Sequence, residues 1–347
     1  MTDCVNSTEN EPIACLVLLA YNQEKYVREA IEGAFSQRFS PLEIILSDDC
    51  STDGTFAIME EMAAAYCGPH LVHARREPSN VGTVKHLMNV AHAARGELLV
   101  VAAGDDISYP DRVGSLLDAW KETDAAALAS WHDEIDANGR MLRENVNFPP
   151  SRVTQWLFGA EAQAHRVYGI IETVPGFCAA YPRSFWTNLP YPPCRLLVED
   201  GLAGGMIILR GDRIQRVPRS LVAYRLLDNS ASDRTAGMNL EEIQFREAKI
   251  DRHARDSMAS IDYIIDQTRR EGITAHPATL RKLTEGRSQN ELIAGYWETG
   301  PVGRFLKLGR IRSLVDAKFI VPRLLGMWIF TALRIRLEKL RNLRAVR

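Results

Sequence analysis

Short apolar runs alternate with segments of helical apolar spacing along the first 130 residues of the chain. Continuous apolar runs of this length are typical of strands that are buried on both faces. Because these strands alternate with amphipathic helices, the pattern predicts an α/β domain with a mostly parallel sheet flanked by helices. Strands are predicted at residues 13–19, 43–46, 71–74, 97–102 and 125–130, and helices at residues 23–38, 53–65, 84–94 and from Pro110.

The pattern changes after residue 130. The next hundred residues contain proline-rich breaks and a Glu199-Asp200 pair that precedes a helix-like stretch of small residues. Shorter strands are predicted at residues 176–181 and 213–217, and charged helices over residues 240–300. The predicted organisation is a polar segment at residues 1–12, two halves of one α/β domain at residues 13–130 and 131–240, and a helical extension at residues 241–347.

Acidic pairs follow two of the predicted strands. Asp48-Asp49 follow the second strand, and Asp105-Asp106 follow the fourth. Ligands of open α/β sheets bind outside the carboxyl ends of the strands, so both pairs are candidate binding residues. Adjacent carboxylates there are unfavourable unless a cation neutralises them, and a hard divalent cation with diphosphate oxygens would do so. The alternative is a pair of capped turns, with Asp53 as the N-cap of the following helix.

Several common catalytic signatures are missing from the sequence. No Gly-x-Gly-x-x-Gly follows the first strand, which argues against a dinucleotide-binding domain, and no phosphate loop or Gly-x-Ser-x-Gly elbow occurs. The six cysteines form no Cys-x-x-Cys pair, and we expect them to be reduced thiols. Without a secretory signal or an apolar stretch of 18 residues, the chain is predicted to be cytoplasmic.

The net charge of −2 hides an uneven distribution. Residues 301–347 hold 12 of the 42 Lys and Arg residues but only 2 of the 44 Asp and Glu residues. This tail therefore carries +10, and the rest of the chain −12. Residues 319–347 combine an apolar segment with alternating leucine and arginine, the composition of an interfacial helix.

The tail predicts peripheral association with an anionic membrane surface, at the inner face of the cytoplasmic membrane. The alternative is a helix packed on the domain or on a second subunit of a homo-oligomer. The acidic body and the lack of a base-reading motif argue against nucleic acid as a partner.

Four segments together resemble a known family. They are AYNQEKYVREAIEGAFSQ, EIILSDDCSTDGT, the turn that begins at Asn80, and ARGELLVVAAGDD. Their order and spacing resemble family 2 glycosyltransferases of the GT-A fold, over about residues 13–235. The resemblance implies a Rossmann-like GT-A domain, a nucleotide-diphosphate sugar as donor, and a divalent cation, Mn²⁺ or Mg²⁺. Residues 13–130 would form the nucleotide-sugar-binding half and residues 131–240 the acceptor-binding half.

The resemblance assigns roles on the donor side. Donor nucleotide contacts are implied at Ala20, Tyr21, Asn22, Asp48, Asp49, Asn80, Gly82 and Asp105. Asp105-Asp106 resembles the end of the family's Asp-x-Asp metal motif. Ala103 stands where the family often has aspartate, so Asp106 is the favoured metal ligand and Asp105 a ribose or metal contact.

The resemblance also assigns roles on the acceptor side. Glu199-Asp200 resembles the family's acceptor-side pair, with Asp200 as general base and Glu199 as an orienting group or, with the roles exchanged, as the base. A helix cap is the alternative. Weaker candidates are Trp131, His132, Tyr181, Arg183 and Trp186 for the sugar or acceptor, and Arg225 and Arg234 for the diphosphate. Core packing and surface ion pairs are their ordinary alternatives.

The sequence therefore predicts an inverting glycosyltransferase that transfers a sugar to a hydroxyl of a glycan or lipid-linked acceptor, in surface polysaccharide biosynthesis. One rival is a nucleotidyltransferase that makes nucleotide sugars, but Ala20-Tyr21-Asn22-Gln23 is not the glycine-rich basic loop that it would need. The other rival is a non-catalytic scaffold protein with the same fold.

Overall fold

The computed structural model describes residues 13–147, 174–196, 199–227, 240–275 and 277–294. The chain divides into two compact units. The first comprises Met1–Pro150 and Ile170–Asp233, and the second comprises Ser151–Gly169 and Arg234–Arg347. Arg234 and the basic tail lie outside the described residues, so their predicted roles stay predictions.

The described part of the first unit contains nine strands and six helices. The strands are β1 (Ala14–Ala20), β2 (Glu43–Asp48), β3 (Leu71–Arg76), β4 (Leu98–Ala103), β5 (Ile107–Ser108), β6 (Ala127–Ile135), β7 (Met141–Val146), β8 (Ala179–Pro182) and β9 (Ile214–Arg225). The helices are α1 (Val27–Phe35), α2 (Thr55–Ala65), α3 (Thr83–Ala93), α4 (Arg112–Thr123), α5 (Arg183–Thr187) and α6 (Glu199–Arg210).

All nine strands form one sheet of order β3-β2-β1-β4-β8-β6-β9-β5, with β7 paired to β6. β1 runs parallel to both β2 and β4, and β2 runs parallel to β3. β8 enters antiparallel between β4 and β6, whereas β6 and β9 are parallel. The predicted α/β sheet flanked by helices is confirmed, with its parallel pairing concentrated in β1–β4. The carboxyl ends of β1, β2 and β4 consequently meet at one edge.

The continuous apolar runs explain the buried strands. Every residue of β2 is buried, and β1 is buried except for Leu19. Helix α1 presents Val27, Ala30, Ile31 and Ala34 to the core, at the i, i+3, i+4, i+7 spacing of one helix face. Burial on both faces therefore follows directly from the sequence pattern.

Some boundaries differ from the predictions for reasons that involve distant residues. Helix α2 begins at Thr55 with Gly54 as its N-cap, so Asp53 is not the cap. Asp53 instead lies one residue earlier and accepts the N–H of Thr55 (3.0 Å), while Glu24 accepts the N–H of Gly54 (2.7 Å). The predicted strand at 176–181 splits into a 3-10 helix, Gly176–Cys178, and the short β8.

The described part of the second unit consists of two helices. They are α7 (Leu240–Arg270) and α8 (Pro277–Ile293), in agreement with the charged helices predicted there. Arg287 on α8 pairs with Asp262 on α7 at 2.6 Å, and Ile261, Ile264 and Leu283 are buried. None of the described helices is both long enough and apolar enough to span a bilayer.

Two helical glycines allow a test of how closely α1 packs on the strand that follows Asp106. A Cβ at Gly33 would lie 2.9 Å from the backbone nitrogen of Ser108, whereas one at Gly114 would have Phe39 Cβ as its nearest neighbour, at 3.9 Å. We expect Gly33→Ala to lower the free energy of unfolding by about 1–3 kcal/mol, because backbone must move. Gly114→Ala should instead raise it by roughly 0.5–1 kcal/mol, because alanine favours the helix. Urea titration of both variants checks this, and equal shifts would contradict the packing.

Candidate active site

The acidic turn, defined as Gly104-Asp105-Asp106, follows β4 at the edge where β1 and β2 also end. Asp106 is only 3% exposed, and its Oδ1 accepts the backbone N–H of Arg225 at 2.8 Å. Its Oδ2 has no hydrogen-bond partner within the described part of the chain. Asp105 is partly exposed. Burial therefore favours Asp105 as the carboxylate that meets a ligand, the reverse of the order expected from the sequence.

Two buried arginines oppose the charge of the acidic turn. Arg225, 1% exposed, donates from Nε to the main-chain oxygen of Asp105 (2.9 Å), and Arg112 is fully buried. Burial raises the pKa of Asp106 well above its usual value, as does the charge of Asp105, while both arginines lower it. Burial likewise raises the pKa of Asp105, against the hydrogen bond of Gln23 and the charge of Arg225.

The position of Arg225 does not support the predicted diphosphate contact. Its guanidinium donates to Asp105, to the carbonyl oxygens of Asp136 and Ala137, and to Glu29. These bonds occupy all three of its nitrogens inside the protein. A residue with this exposure and these partners holds structure together and does not face a ligand.

Arg112 is a residue that the sequence analysis missed. It donates to Ser108 Oγ (2.9 Å), to the carbonyl oxygen of Val101 and to that of Phe177 (2.8 Å). Burial lowers its pKa to about 10, so it remains charged at neutral pH. Its only sequence signal is a place in the first turn of the helix that follows Pro110, two residues after that proline.

The loop after β1 packs tightly against the acidic turn. A Cβ at Gly104 would lie 2.6 Å from both Ala20 Cβ and Gln23 Oε1, so only glycine fits there. Asn22 has φ 54°, and its Oδ1 accepts the N–H of Thr52 at 2.8 Å. Asn22 was predicted as a donor contact, and its side chain binds the loop after β2. Tyr21, predicted for the same role, has an exposed side chain. Ala20 is buried at the end of β1.

The carboxylates after β2 have different surroundings. Asp48 is fully buried, pairs with Arg76 Nε at 3.0 Å and accepts the N–H of Ser51 at 2.9 Å. These contacts give Asp48 a structural position, not the accessible one expected of a base or ribose contact. Asp49 accepts the N–H groups of Val81 (2.8 Å) and Gly82 (3.0 Å). Burial raises the pKa of Asp49, against these two hydrogen bonds and the charge of Arg195.

The turn at Asn80–Gly82 is joined to a residue that the sequence analysis did not select. Gly82 has φ 83°, and a Cβ there would lie 2.7 Å from Arg195 Cγ. The exposed guanidinium of Arg195 donates to Asn80 Oδ1. Asn80, Gly82 and Asp49 therefore lie together, with Arg195 as an additional cation beside them.

Glu199 and Asp200 form the first turn of α6, where carboxylates interact favourably with the helix dipole. Asp200 Oδ1 lies 2.6 Å from the backbone nitrogen of Gly201. A Cβ at Gly176 would lie 1.8 Å from Glu199 Oε1, so Glu199 packs directly on the 3-10 helix. β8 runs antiparallel to β4 with Ala180 opposite Val100, which brings the residues before β8 level with the end of β4.

Three residues that were predicted as weaker contacts of the sugar or acceptor have buried side chains, which argues against that role. His132 is 1% exposed and contacts the rings of Phe177 (5.1 Å) and Tyr224 (5.8 Å) edge-on. Tyr181 and Trp186 are fully buried against each other. Their core-packing alternative is therefore the correct one, since no face of these rings reaches a sugar. Trp131 and Arg183 are partly exposed and stay predictions.

A divalent cation fits this site only with help from the substrate. The described residues contain no group of three or more His, Cys, Asp or Glu side chains that could hold a metal ion. The Asp105 carboxylate would offer the hard oxygen ligands that Mg²⁺ and Mn²⁺ prefer, with diphosphate oxygens and water as the remaining ligands. The chemistry of Asp105 thus fits the predicted cofactor, with few protein ligands.

Buried His132 makes the stability of the fold depend on pH. Burial lowers its pKa to about 4, against the charges of Glu134 and Asp133, whereas an unfolded histidine titrates near 6.5. Between these pH values the unfolded chain binds a proton that the folded chain does not. The contribution of His132 to the free energy of unfolding is therefore fully present above pH 6.5, and it falls by up to about 3 kcal/mol toward pH 4.

His132→Phe should reduce this dependence, as measured by urea titrations between pH 7.5 and 4.5. Some dependence should remain, because burial also lowers the pKa of His86 to about 4. The exposed His92 provides the control variant, His92→Phe. An unchanged pH dependence in His132→Phe would contradict the assignment of His132 to the core.

Comparisons with known proteins find similar sequences and a similar fold. An uncharacterised protein of Mycobacterium tuberculosis is 44% identical over 92 residues, which cover 26% of each chain, so the match spans about a quarter of that relative. The succinoglycan biosynthesis protein ExoO of Rhizobium meliloti is 23% identical over 64% of this chain and 63% of its own. The mannosyltransferase PcManGT of Pyrobaculum calidifontis, solved with GDP-Man and Mn²⁺, shares the fold with a TM-score of 0.53 at 16% identity, over 90% of this chain and 79% of that one.

The sequence profile of glycosyl transferase family 2 matches residues 15–188, half of the chain. The match contains β2 to β4, β8, β1 except for Ala14, and the pairs Asp48-Asp49 and Asp105-Asp106, and it ends before Glu199-Asp200. The chain therefore belongs to glycosyl transferase family 2.

Proposed function

We propose that this protein is an inverting glycosyltransferase that moves a sugar from a nucleotide-diphosphate sugar to a hydroxyl of a glycan or lipid-linked acceptor. The observation that carries the proposal is that Asp49 and Asp105 follow β2 and β4, which end at one edge of the sheet, while Glu199 packs against Gly176, just before β8. These carboxylates would then serve the donor and the acceptor from one edge of one sheet. A nucleotide sugar lying along that edge would meet both groups of carboxylates.

The donor nucleotide would lie between the loop that follows β1 and the turn at Asn80–Gly82. Asp49 has oxygen lone pairs for a base N–H in addition to its two backbone bonds. Arg195 adds a cation at that end. Asp105 would face the ribose or diphosphate, and a divalent cation held there would supply positive charge next to the leaving group.

Asp200 would remove the proton from the acceptor hydroxyl as that oxygen attacks the anomeric carbon in a single displacement. The proton passes to the Asp200 carboxylate, and the nucleoside diphosphate leaves with the bonding electron pair. Glu199, packed against Gly176, would orient the acceptor or the neighbouring base. The exchanged assignment, with Glu199 as base, is the alternative that the experiment below separates.

The biological setting proposed is surface polysaccharide synthesis, supported by the name of the Rhizobium meliloti relative. Residues 319–347 would hold the enzyme at an anionic membrane surface, as their charge pattern predicts. The nucleotidyltransferase rival is disfavoured by family membership. The scaffold rival predicts no turnover of any nucleotide sugar, which donor hydrolysis assays decide.

The donor site is tested with Asp105→Asn and Asp106→Asn. Calorimetry with UDP, GDP and dTDP, with and without Mn²⁺, should give at least a tenfold loss of metal-dependent affinity in Asp105→Asn, at nearly unchanged thermal stability. Asp106→Asn should lower the melting temperature, because its buried amide N–H₂ would stand at the Oδ2 position, which has no hydrogen-bond partner within the described part of the chain. Wild-type metal-dependent affinity in Asp105→Asn would exclude it as the metal carboxylate, and EDTA treatment controls for bound metal.

The base is tested with the matched pair Asp200→Asn and Glu199→Gln. Asparagine keeps the size of the side chain but cannot take the proton, so Asp200→Asn should lower the transfer rate by roughly 10²–10⁴ while nucleotide affinity persists. Glu199→Gln should have the smaller effect on kcat. The opposite ranking would assign the base to Glu199, and full transfer rates in both variants would place it elsewhere.

A further inference from the structure

We propose that Arg225 is a positioning residue that holds the backbone of Asp105, and with it the position of the Asp105 carboxylate, with Glu29 on α1 as its counter-charge. The inference rests on the proposed function, because it concerns how the donor side of that site is held. Arg225 itself is 1% exposed and cannot touch a donor. Its effect must therefore pass through the acidic turn.

One residue holds the acidic turn at two points. The backbone N–H of Arg225 donates to Asp106 Oδ1 at 2.8 Å, and its Nε donates to the main-chain oxygen of Asp105 at 2.9 Å. The main-chain oxygen of Asp105 and the side chain of Asp106 are thus both bound to the end of β9. The Asp105 carboxylate is therefore attached to a backbone that these two hydrogen bonds restrain.

The guanidinium also links the acidic turn to two other segments. Nη1 donates to the carbonyl oxygens of Asp136 (3.3 Å) and Ala137 (3.2 Å), between β6 and β7. Nη2 donates to Glu29 Oε2 at 2.7 Å, and the guanidinium lies 4.9 Å from the centre of the Tyr26 ring. A planar fork with five donors can satisfy these directions together, whereas a lysine ammonium cannot.

Glu29 is the solvent-accessible partner of the Arg225–Glu29 ion pair. Its side chain is 49% exposed, in contrast to the guanidinium that it pairs with. The charge of a buried arginine is strongly unfavourable without such a partner. Replacing Glu29 by glutamine keeps its shape but removes the charge, and this change is made at the protein surface, where the fold tolerates it better.

Hydrogen exchange of the unliganded protein tests the arrangement directly. The amides of Gly104 and Asp106 donate to main-chain oxygens, and β5 pairs with β9 through Ile107 and Ser108. We expect residues 104–108 to exchange at least tenfold faster in Arg225→Lys, and severalfold faster in Glu29→Gln. Arg219→Lys is the control on the same strand, because Arg219 is exposed and pairs with Asp111. It should leave the exchange of this segment unchanged.

Nucleotide binding then tests whether the position matters for the donor. Calorimetry with UDP, GDP and dTDP should show that Arg225→Lys and Glu29→Gln lose at least tenfold and about threefold, respectively, of the Mn²⁺-dependent affinity. Affinity without Mn²⁺ should change by less than about twofold, a split that general destabilisation would not produce. Arg219→Lys should bind as the wild type does.

The outcomes separate the two proposals. Unchanged exchange of residues 104–108 in both variants overturns the positioning role, whatever the nucleotide data show. Faster exchange with wild-type Mn²⁺-dependent affinity overturns its relevance to the donor. A wild-type chain that binds none of the three nucleotides overturns the proposed function, and the exchange data then decide alone whether Arg225 holds the turn. Should Arg225→Lys fail to fold, Glu29→Gln supplies the same comparisons.

Discussion

The electrostatic balance of two adjacent carboxylates at the end of a buried strand is the constraint on which this structure depends. Asp105 and Asp106 follow β4, where burial raises the pKa of both. Two arginines lower the pKa of Asp106. Arg112 lies at the start of α4, just after the acidic turn in sequence, and Arg225 lies at the end of β9. The protein thus places two cations of its own near the turn, but the pKa of both carboxylates stays raised, so their charges are compensated only in part.

The two carboxylates of the acidic turn differ in their contacts with the protein. Asp106 is committed to the protein by its hydrogen bond with the backbone of Arg225. Asp105, partly exposed and restrained through its own carbonyl oxygen, is left to face outward. A similar division occurs after β2, where Asp48 pairs with Arg76 and Asp49 holds the turn before α3. In each pair the more buried acid is held by an arginine, Asp106 by the backbone of Arg225 and Asp48 by Arg76.

The sequence predicted what depends on local pattern. The strands and helices of residues 13–130 follow from apolar periodicity, and the acidic pairs were placed correctly because parallel strands end at a common edge. It could not predict that Arg225 is buried, because its partners lie between 88 and 196 residues away in sequence. For Tyr181 and Trp186 the sequence left sugar binding and core packing open, since a ring that packs in the core and a ring that binds sugar look alike in sequence.

The antiparallel strand β8 is the joint between the two halves of the sheet. It pairs with β4 on one side and β6 on the other, and Ala179 and Ala180 within it are fully buried. Neighbouring strands lie about 4.8 Å apart, so the lateral distance from the acidic turn to the residues that precede β8 is a property of the backbone ladder. The loops along this edge can vary in sequence, whereas this lateral distance is fixed by the width of one strand. Because backbone pairing sets this spacing, substitutions in β8 that keep its pairing with β4 should leave the separation between the acidic turn and the residues before β8 unchanged.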